Sequence, residues 1–216
     1  MKPGPRRSIS QADIVDAAFE ILEEKGFAAV SVRAVAAALG LTPTALYTYF
    51  PSKGALQAAM IEQLLAGVAE ADTAPEPSAE PAWRERIHAV AAALRARIAG
   101  HAGSIALLTS GPLDGERSRD IAEALIAAFA EAGLGADEAA RAGHAVRAQV
   151  IGAAALDAAA AASPEPTPAP QTLWKEPSRH PRLEASAHLG LDTGEADEAS
   201  RRWTLDRLID GLLASA

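Results

Sequence analysis

Between Val32 and Lys53 the chain sets Arg33, Thr42, Thr44, Tyr47, Thr48, Tyr49 and Lys53 among alanines, leucines and a single proline-led turn. A guanidinium such as that of Arg33 forks onto a guanine edge or a phosphate. Threonine and tyrosine hydroxyls reach phosphates or bases, and the methyl of Ala45 suits a thymine methyl. These side chains offer hydrogen bonds and charge, not the making of covalent bonds. The sequence contains no nucleophile elbow, no phosphate-cradling loop and no HExxH metal pair, so no catalytic residue and no metal ligand is assigned. It also contains no cysteine, which excludes a disulfide framework and thiolate redox or metal chemistry. An enzyme built on scattered His, Asp and Ser residues of the C-terminal half has no spacing to support it, and no cofactor is expected.

Those side chains can act together only if two short helices hold them. A pair of helices crossing steeply needs a small residue at the contact, a glycine able to take positive φ at the turn, and apolar residues to lock the pair. Ala36 fits the contact, Gly40 the turn, and Val35, Leu39, Leu41 and Leu46 the lock. Ser31 is placed to cap a helix from Val32 to Ala38, and Thr42 with Pro43 to start one from Pro43 to Phe50. Upstream, Ser10-Gln11-Ala12-Asp13 has the form of a capping box for a helix from about Gln11 to Lys25, with Gly26 as its stop. Ser52 can cap a fourth helix, Lys53 to about Ala71.

A proline and acid cluster from Thr73 to Pro81 interrupts the helical pattern and marks a hinge. Beyond it, helices are expected from Trp83 onward through Ile98, from His101 to Leu108, from Glu116 to Ala132 and from Asp137 to about Ala162. The last of these is dominated by alanine. Ser163 to Pro170 cannot continue a helix. A short helix over Arg182 to Leu189 and a final one over Ala196 to Ala214 complete an all-α chain with no strand alternation and no internal repeat. The domain boundaries read as 1–52, a connecting helix 53–72, and 73–216.

The net charge of −8 misleads until it is divided. Residues 1–53 hold six Lys/Arg against five acids, a balance of +1; the remainder holds 14 against 23, a balance of −9. The acidity belongs to the second part, and local charge is what a phosphate backbone meets. Nearly half of the residues are apolar, enough for a buried core. The basic N-terminus lacks a following apolar region, and the longest apolar stretch, around Val150 to Ala162, is interrupted by Asp157 and too short for a bilayer. A soluble, cytoplasmic protein with no membrane partner is expected.

At this point the sequence resembles the tetracycline-repressor (TetR) family. The resemblance rests on Ile14-Val15-Asp16-Ala17-Ala18 with Gly26-Phe27, on Ser31 to Ala36 with Leu39-Gly40-Leu41, and on Leu46 to Phe50 with Ser52-Lys53; it is close over about residues 10–65. It implies an N-terminal three-helix helix-turn-helix domain whose third helix enters the major groove. It also implies a C-terminal helical domain that binds a small effector and forms a homodimer on a palindromic operator. Carried over by residue, Thr42, Thr44, Ala45, Tyr47, Thr48 and Tyr49 belong to the DNA-facing side, Arg33 starts the second helix beside the groove, and Lys53 meets phosphate. Leu46 and Phe50 read as core, and Tyr47 as a phosphate contact in preference to packing. Arg6 and Arg7 fit an arm into the minor groove or a frayed terminus equally well.

The same resemblance implies that the alanine-rich helix and the last helix form the dimer face, with plain intramolecular packing as the rival reading. An effector pocket is expected among the helices of residues 83–162, with His88, His101, Ser104, Thr109, His144 and Gln149 as polar candidates and Trp174 over an entrance. Tetracycline repressors carry a metal-ligating histidine where this chain has Ala106-Leu107-Leu108-Thr109, which argues against a magnesium-tetracycline effector. Few aromatics follow residue 82, which also disfavours an aromatic-caged multidrug site. The alternative function is a DNA-binding regulator controlled by a partner protein, or an activator, with no small-molecule effector.

Overall fold

The computed structural model describes residues 9–72, 81–111, 113–161, 181–186 and 198–214, and among these every regular element is helical. The order is α1 Gln11–Lys25, a 3₁₀ turn Phe27–Ala29, α2 Val32–Ala38, α3 Pro43–Tyr47, α4 Lys53–Leu64 and a 3₁₀ turn Ala69–Asp72. There follow α5 Ala82–Ala99, α6 Ser104–Leu108, α7 Glu116–Glu131, α8 Ala136–Ala161, α9 Pro181–Ser186 and α10 Glu198–Leu213. The expected helix 196–214 therefore extends at its N-terminal end outside the described residues, as does part of 182–189, and Trp174 and the arm arginines lie there entirely.

Two compact units emerge. The first comprises the chain up to Val68 together with Ala96–Asp120; the second comprises Ala69–Arg95 and the chain from Ile121. The boundaries fall inside α5 and α7, so α6, which follows the proline and acid cluster by more than twenty residues, joins the first unit.

In the first unit the helix starts are set by side-chain oxygens. Ser10 accepts from the Asp13 amide at 3.1 Å while the Asp13 carboxylate accepts from the Ser10 amide at 2.7 Å, the reciprocal capping box with aspartate in the third position. Ser31, Thr42 and Ser52 each accept from the amide three residues on. α1 packs against α2 and α4, α2 against α3, and α6 against α4 and the first 3₁₀ turn. The core at their centre includes Ile14, Leu22, Val35, Leu46, Leu56 and Met60.

Two helices end earlier than periodicity predicts. α3 stops at Tyr47, where the amides of Thr48 and Tyr49 turn to carbonyls three residues back, Ala45 at 3.2 Å and Leu46 at 3.0 Å. Pro51 then disfavours helical backbone at Phe50. α4 stops at Leu64 because Gly67 takes φ +79°, a left-handed conformation that a chain of L-residues leaves to glycine. In place of a helix from His101, α6 starts at Ser104, behind Gly103.

In the second unit Ile87, Val90, Leu94, Ile121, Leu125 and Phe129 are buried beside Val146 and Val150 of α8. The small residues of α8 allow close approach: a Cβ on Gly143 would stand 3.3 Å from the Leu125 Cβ. α8 also packs against α10, whose Leu205 and Ile209 point into the core.

Candidate nucleic-acid interface and a charged cavity

The turn between α2 and α3 is closed by backbone geometry. Gly40 sits at φ +66°, and the Leu41 amide returns to the Ala36 carbonyl at 2.8 Å. With Val35, Ala36 and Leu46 buried on one side, the alternate positions must face outward. Arg33, Thr42, Thr44, Tyr47 and Thr48 are all exposed, and Ala45 and Tyr49 are half-buried. Thr44, Tyr47 and Thr48 share a face of α3 and its end by their spacing of three and four.

Individual side chains in this set are held in place. The Thr48 hydroxyl donates to the Ala45 carbonyl at 2.6 Å, leaving its oxygen lone pairs outward as acceptors. The Tyr49 carbonyl accepts from the Gln11 amide group at 3.3 Å, which ties the end of the third helix to the start of the first. The Lys53 ammonium lies 5.5 Å from the centre of the Phe27 ring, a cation–π contact that fixes the side chain while its charge stays in water. Tyr47 is 50% exposed although Leu46 beside it is fully buried, so packing does not account for the tyrosine.

Three of the expected effector residues, His101, Ser104 and Thr109, lie in the first unit and bond within it. His101 donates from Nδ1 to Glu23 at 2.7 Å and sits 5.0 Å, centre to centre, from the Phe19 ring. Ser104 is buried and donates to the Ile98 carbonyl at 2.7 Å, and Thr109 donates to the Ile105 carbonyl at 2.8 Å. In the same unit the Glu62 carboxylate of α4 accepts from the Arg117 amide at 3.0 Å in the first turn of α7. A carboxylate at that end neutralises an amide no helical carbonyl can reach. On α8, His144 is exposed and Gln149 half-buried.

His88 has a different setting. Its Nε2 donates to Asp206 at 2.9 Å, and Arg84 one helical turn earlier reaches Asp206 at 3.1 Å and Asp210 at 2.6 Å. This clamp joins α5 to α10 across more than a hundred residues of sequence. Burial alone would lower the Arg84 guanidinium, but the hydrogen bonds to Asp210 and Asp206 outweigh it and hold it above its ordinary value. For Asp206, burial pushes upward, and the bonds from His88 and Arg84 prevail and hold it below the usual carboxylate value.

Beside the clamp a cavity of about 270 Å³ opens between α5 and α10. Among the described residues of the expected effector set, His88 lines it. This cavity differs in chemistry and position from the pocket with apolar walls that the sequence leads one to expect among the helices of residues 83–162. The last helix supplies one wall, and the lining carries Arg86, Arg95, Arg201 and Arg202 with Glu85 and Glu198. Sequence reasoning passed over these residues because Arg and Glu on amphipathic helices ordinarily mark a solvated face. Their density in 84–97 and 198–210, with acids and arginines on both helices, was the available signal. Among the described residues no group of three or more His, Cys, Asp or Glu side chains is arranged to hold a metal, and no helix is long and apolar enough to cross a membrane.

Two family descriptions match the chain: "Bacterial regulatory proteins, tetR family" over residues 14–60 and "Tetracyclin repressor-like, C-terminal domain" over residues 75–216. A curated relative, an HTH-type transcriptional regulator of Saccharopolyspora erythraea, is 32% identical over 149 residues, 69% of this chain. The match spans 61% of that regulator's length. Among solved structures, a possible TetR family transcriptional regulator from Streptomyces coelicolor A3(2) superposes with a TM-score of 0.80 at 29% identity, covering 96% of this chain and all of the other. BioQ with its double-stranded DNA operator superposes with a TM-score of 0.62 at 25% identity, over 96% of this chain and 99% of that one.

Proposed function

The chain belongs to the tetracycline-repressor family of transcriptional regulators, and on that premise we propose that it is a dimeric repressor, released from a palindromic operator by a small-molecule effector. The observation that carries the DNA-binding half of this reading is Tyr47, half exposed at the end of α3 although Leu46 beside it and Phe50 just beyond the helix are buried. A phenol standing in water at the outer face of a two-helix turn has hydroxyl and ring available for a phosphate or base, and Thr44 and Thr48 flank it. Arg33 and Lys53 bracket the same surface with positive charge, and Thr42, Ala45 and Tyr49 complete it. The BioQ complex with its operator supports DNA as the partner.

Dimerisation is supported by apolar surface that the single chain leaves in water. Leu156 of α8 is 73% exposed and Trp203 of α10 is 65% exposed, on the two helices that pack against each other. A two-fold pairing of these helices would cover both. Two recognition helices then read successive major grooves when their centres stand about 34–36 Å apart, and an effector acts by favouring a different spacing.

The test is a binding selection from fragmented genomic DNA at fixed salt, comparing the wild type with a Tyr47→Ala, Lys53→Ala double variant. Enrichment of a palindromic sequence by the wild type alone supports the reading. Absence of any enriched sequence with the wild type overturns it.

A further inference from the structure

The end of α4 gathers polar contacts from three other helices. Gln63 donates to the Asp16 carboxylate of α1 at 2.7 Å, and Glu62 accepts from the Arg117 amide of α7 at 3.0 Å. The Ala66 carbonyl, two residues past the helix, accepts twice from Arg97 of α5, from Nε at 2.9 Å and Nη2 at 2.5 Å. All of these residues belong to the first unit. The unit boundaries fall inside α5 and α7, so both of those helices run on into the second unit. At its other end α4 starts at Lys53, close behind α3.

The contacts to α5 and α7 each set a charge against a helix end of opposite sign. Glu62 meets the amide end of α7, and Arg97 meets the carbonyl end of α4. The seat of Glu62 is narrow, because a Cβ on Gly115 would collide with the carboxylate. Its second oxygen, Oε1, is buried and has no hydrogen-bond partner among the described residues. A buried oxygen left unsatisfied costs free energy, so this carboxylate is a poor device for stability alone. Hydrogen bonds are directional, and these two fix the register of α4 where its packing against α6 fixes only separation.

We propose that Glu62 and Arg97 are positioning residues for DNA binding: they hold the end of α4 to α7 and α5, and through α4 they set the orientation in which α3 meets the groove. A movement of α5 or α7 reaches the DNA-binding face at these two contacts. The proposal rests on the DNA-binding reading above and names residues through which that binding is regulated.

The first measurement needs no DNA. The chain has no cysteine, so Ala38→Cys and Asp120→Cys, both exposed and both in the first unit, supply two unique sites for spin labels. Pulsed electron paramagnetic resonance on labelled chain diluted into unlabelled chain reads the distance between them. One narrow distance is expected in the otherwise unaltered chain. Glu62→Ala and Arg97→Ala should each shift or broaden it. Glu62→Gln should preserve it, because an amide oxygen accepts from the Arg117 amide as a carboxylate does. Gly115→Ala keeps the carboxylate but closes its seat, and should behave as Glu62→Ala does. On the selected operator the two alanine variants should lose affinity about fivefold or more, the lower end of coupling between distant sites. A purely structural role predicts a lower unfolding midpoint with distance and operator affinity of the folded chain unchanged, and that result overturns the proposal. So does a Glu62→Gln variant that matches Glu62→Ala. If the wild type selects a palindrome and the alanine variants bind it equally well, this inference alone falls. If the wild type selects no sequence, the regulatory reading falls, whatever the label distances show.

Discussion

The helix-turn-helix unit and the α5/α10 region are stabilised in different ways. Around α1 to α4 the contacts are apolar and local polar groups cap helix ends: Leu46, Val35, Leu56 and Met60 are buried, and Ser10, Ser31, Thr42 and Ser52 each satisfy an amide in the first turn. Between α5 and α10, Arg84 and His88 share Asp206, and two further ion pairs, Arg95 with Glu198 and Arg202 with Glu85, bridge the same helices. Close-packed apolar contacts have one good arrangement and resist displacement. Ion pairs that reach solvent can shift between partners at small cost. The first kind of cohesion keeps a surface in one shape, and the second lets neighbouring helices adjust.

The comparison breaks most sharply in the apolar unit. Leu46→Ala removes a fully buried side chain at the junction of α2 and α3 and should cost about 2–5 kcal/mol in urea unfolding. Operator binding should be lost with it. A cost below about 1 kcal/mol, close to that of an exposed site, would mean that the turn is not held by this packing.

In the second unit, Arg84→Ala removes the guanidinium shared by Asp206 and Asp210, which then keep His88 and Arg207, and should cost about 1.5–3 kcal/mol. The clamp also carries a pH signature. Asp206 is held below its ordinary value of 3.8, so its contribution is present above that value and is lost as pH falls through its lower folded value. Acid unfolding below about pH 4 should therefore be less steep in Asp206→Asn than in the wild type. Identical acid limbs would show that the carboxylate is not stabilised in the folded chain.

The smallest effect concerns Lys53, whose ammonium rests over Phe27 on the surface. Lys53→Ala should leave stability nearly unchanged. It should weaken DNA binding across sequences and reduce the salt dependence of binding by about one unit. An unaltered salt slope would remove Lys53 from the phosphate contacts.

What the sequence determined on its own were features whose causes lie within a few residues. The capping box at Ser10, the caps at Ser31, Thr42 and Ser52, the glycine turn at Gly40 and the buried places of Leu46 and Phe50 are local, because a cap or a helical stripe is complete within one or two turns. Helix ends were less legible, since Pro51 and Gly67 act against apolar patterns that continue past them. Only the tertiary structure decided that His101 and Ser104 serve packing beside α1 and the end of α5, and that Arg84 and His88 meet Asp206 across more than a hundred residues. An arginine on an amphipathic helix has the same local pattern whether it faces water or an acid from a distant segment. The partner that gives it a role is supplied by the fold.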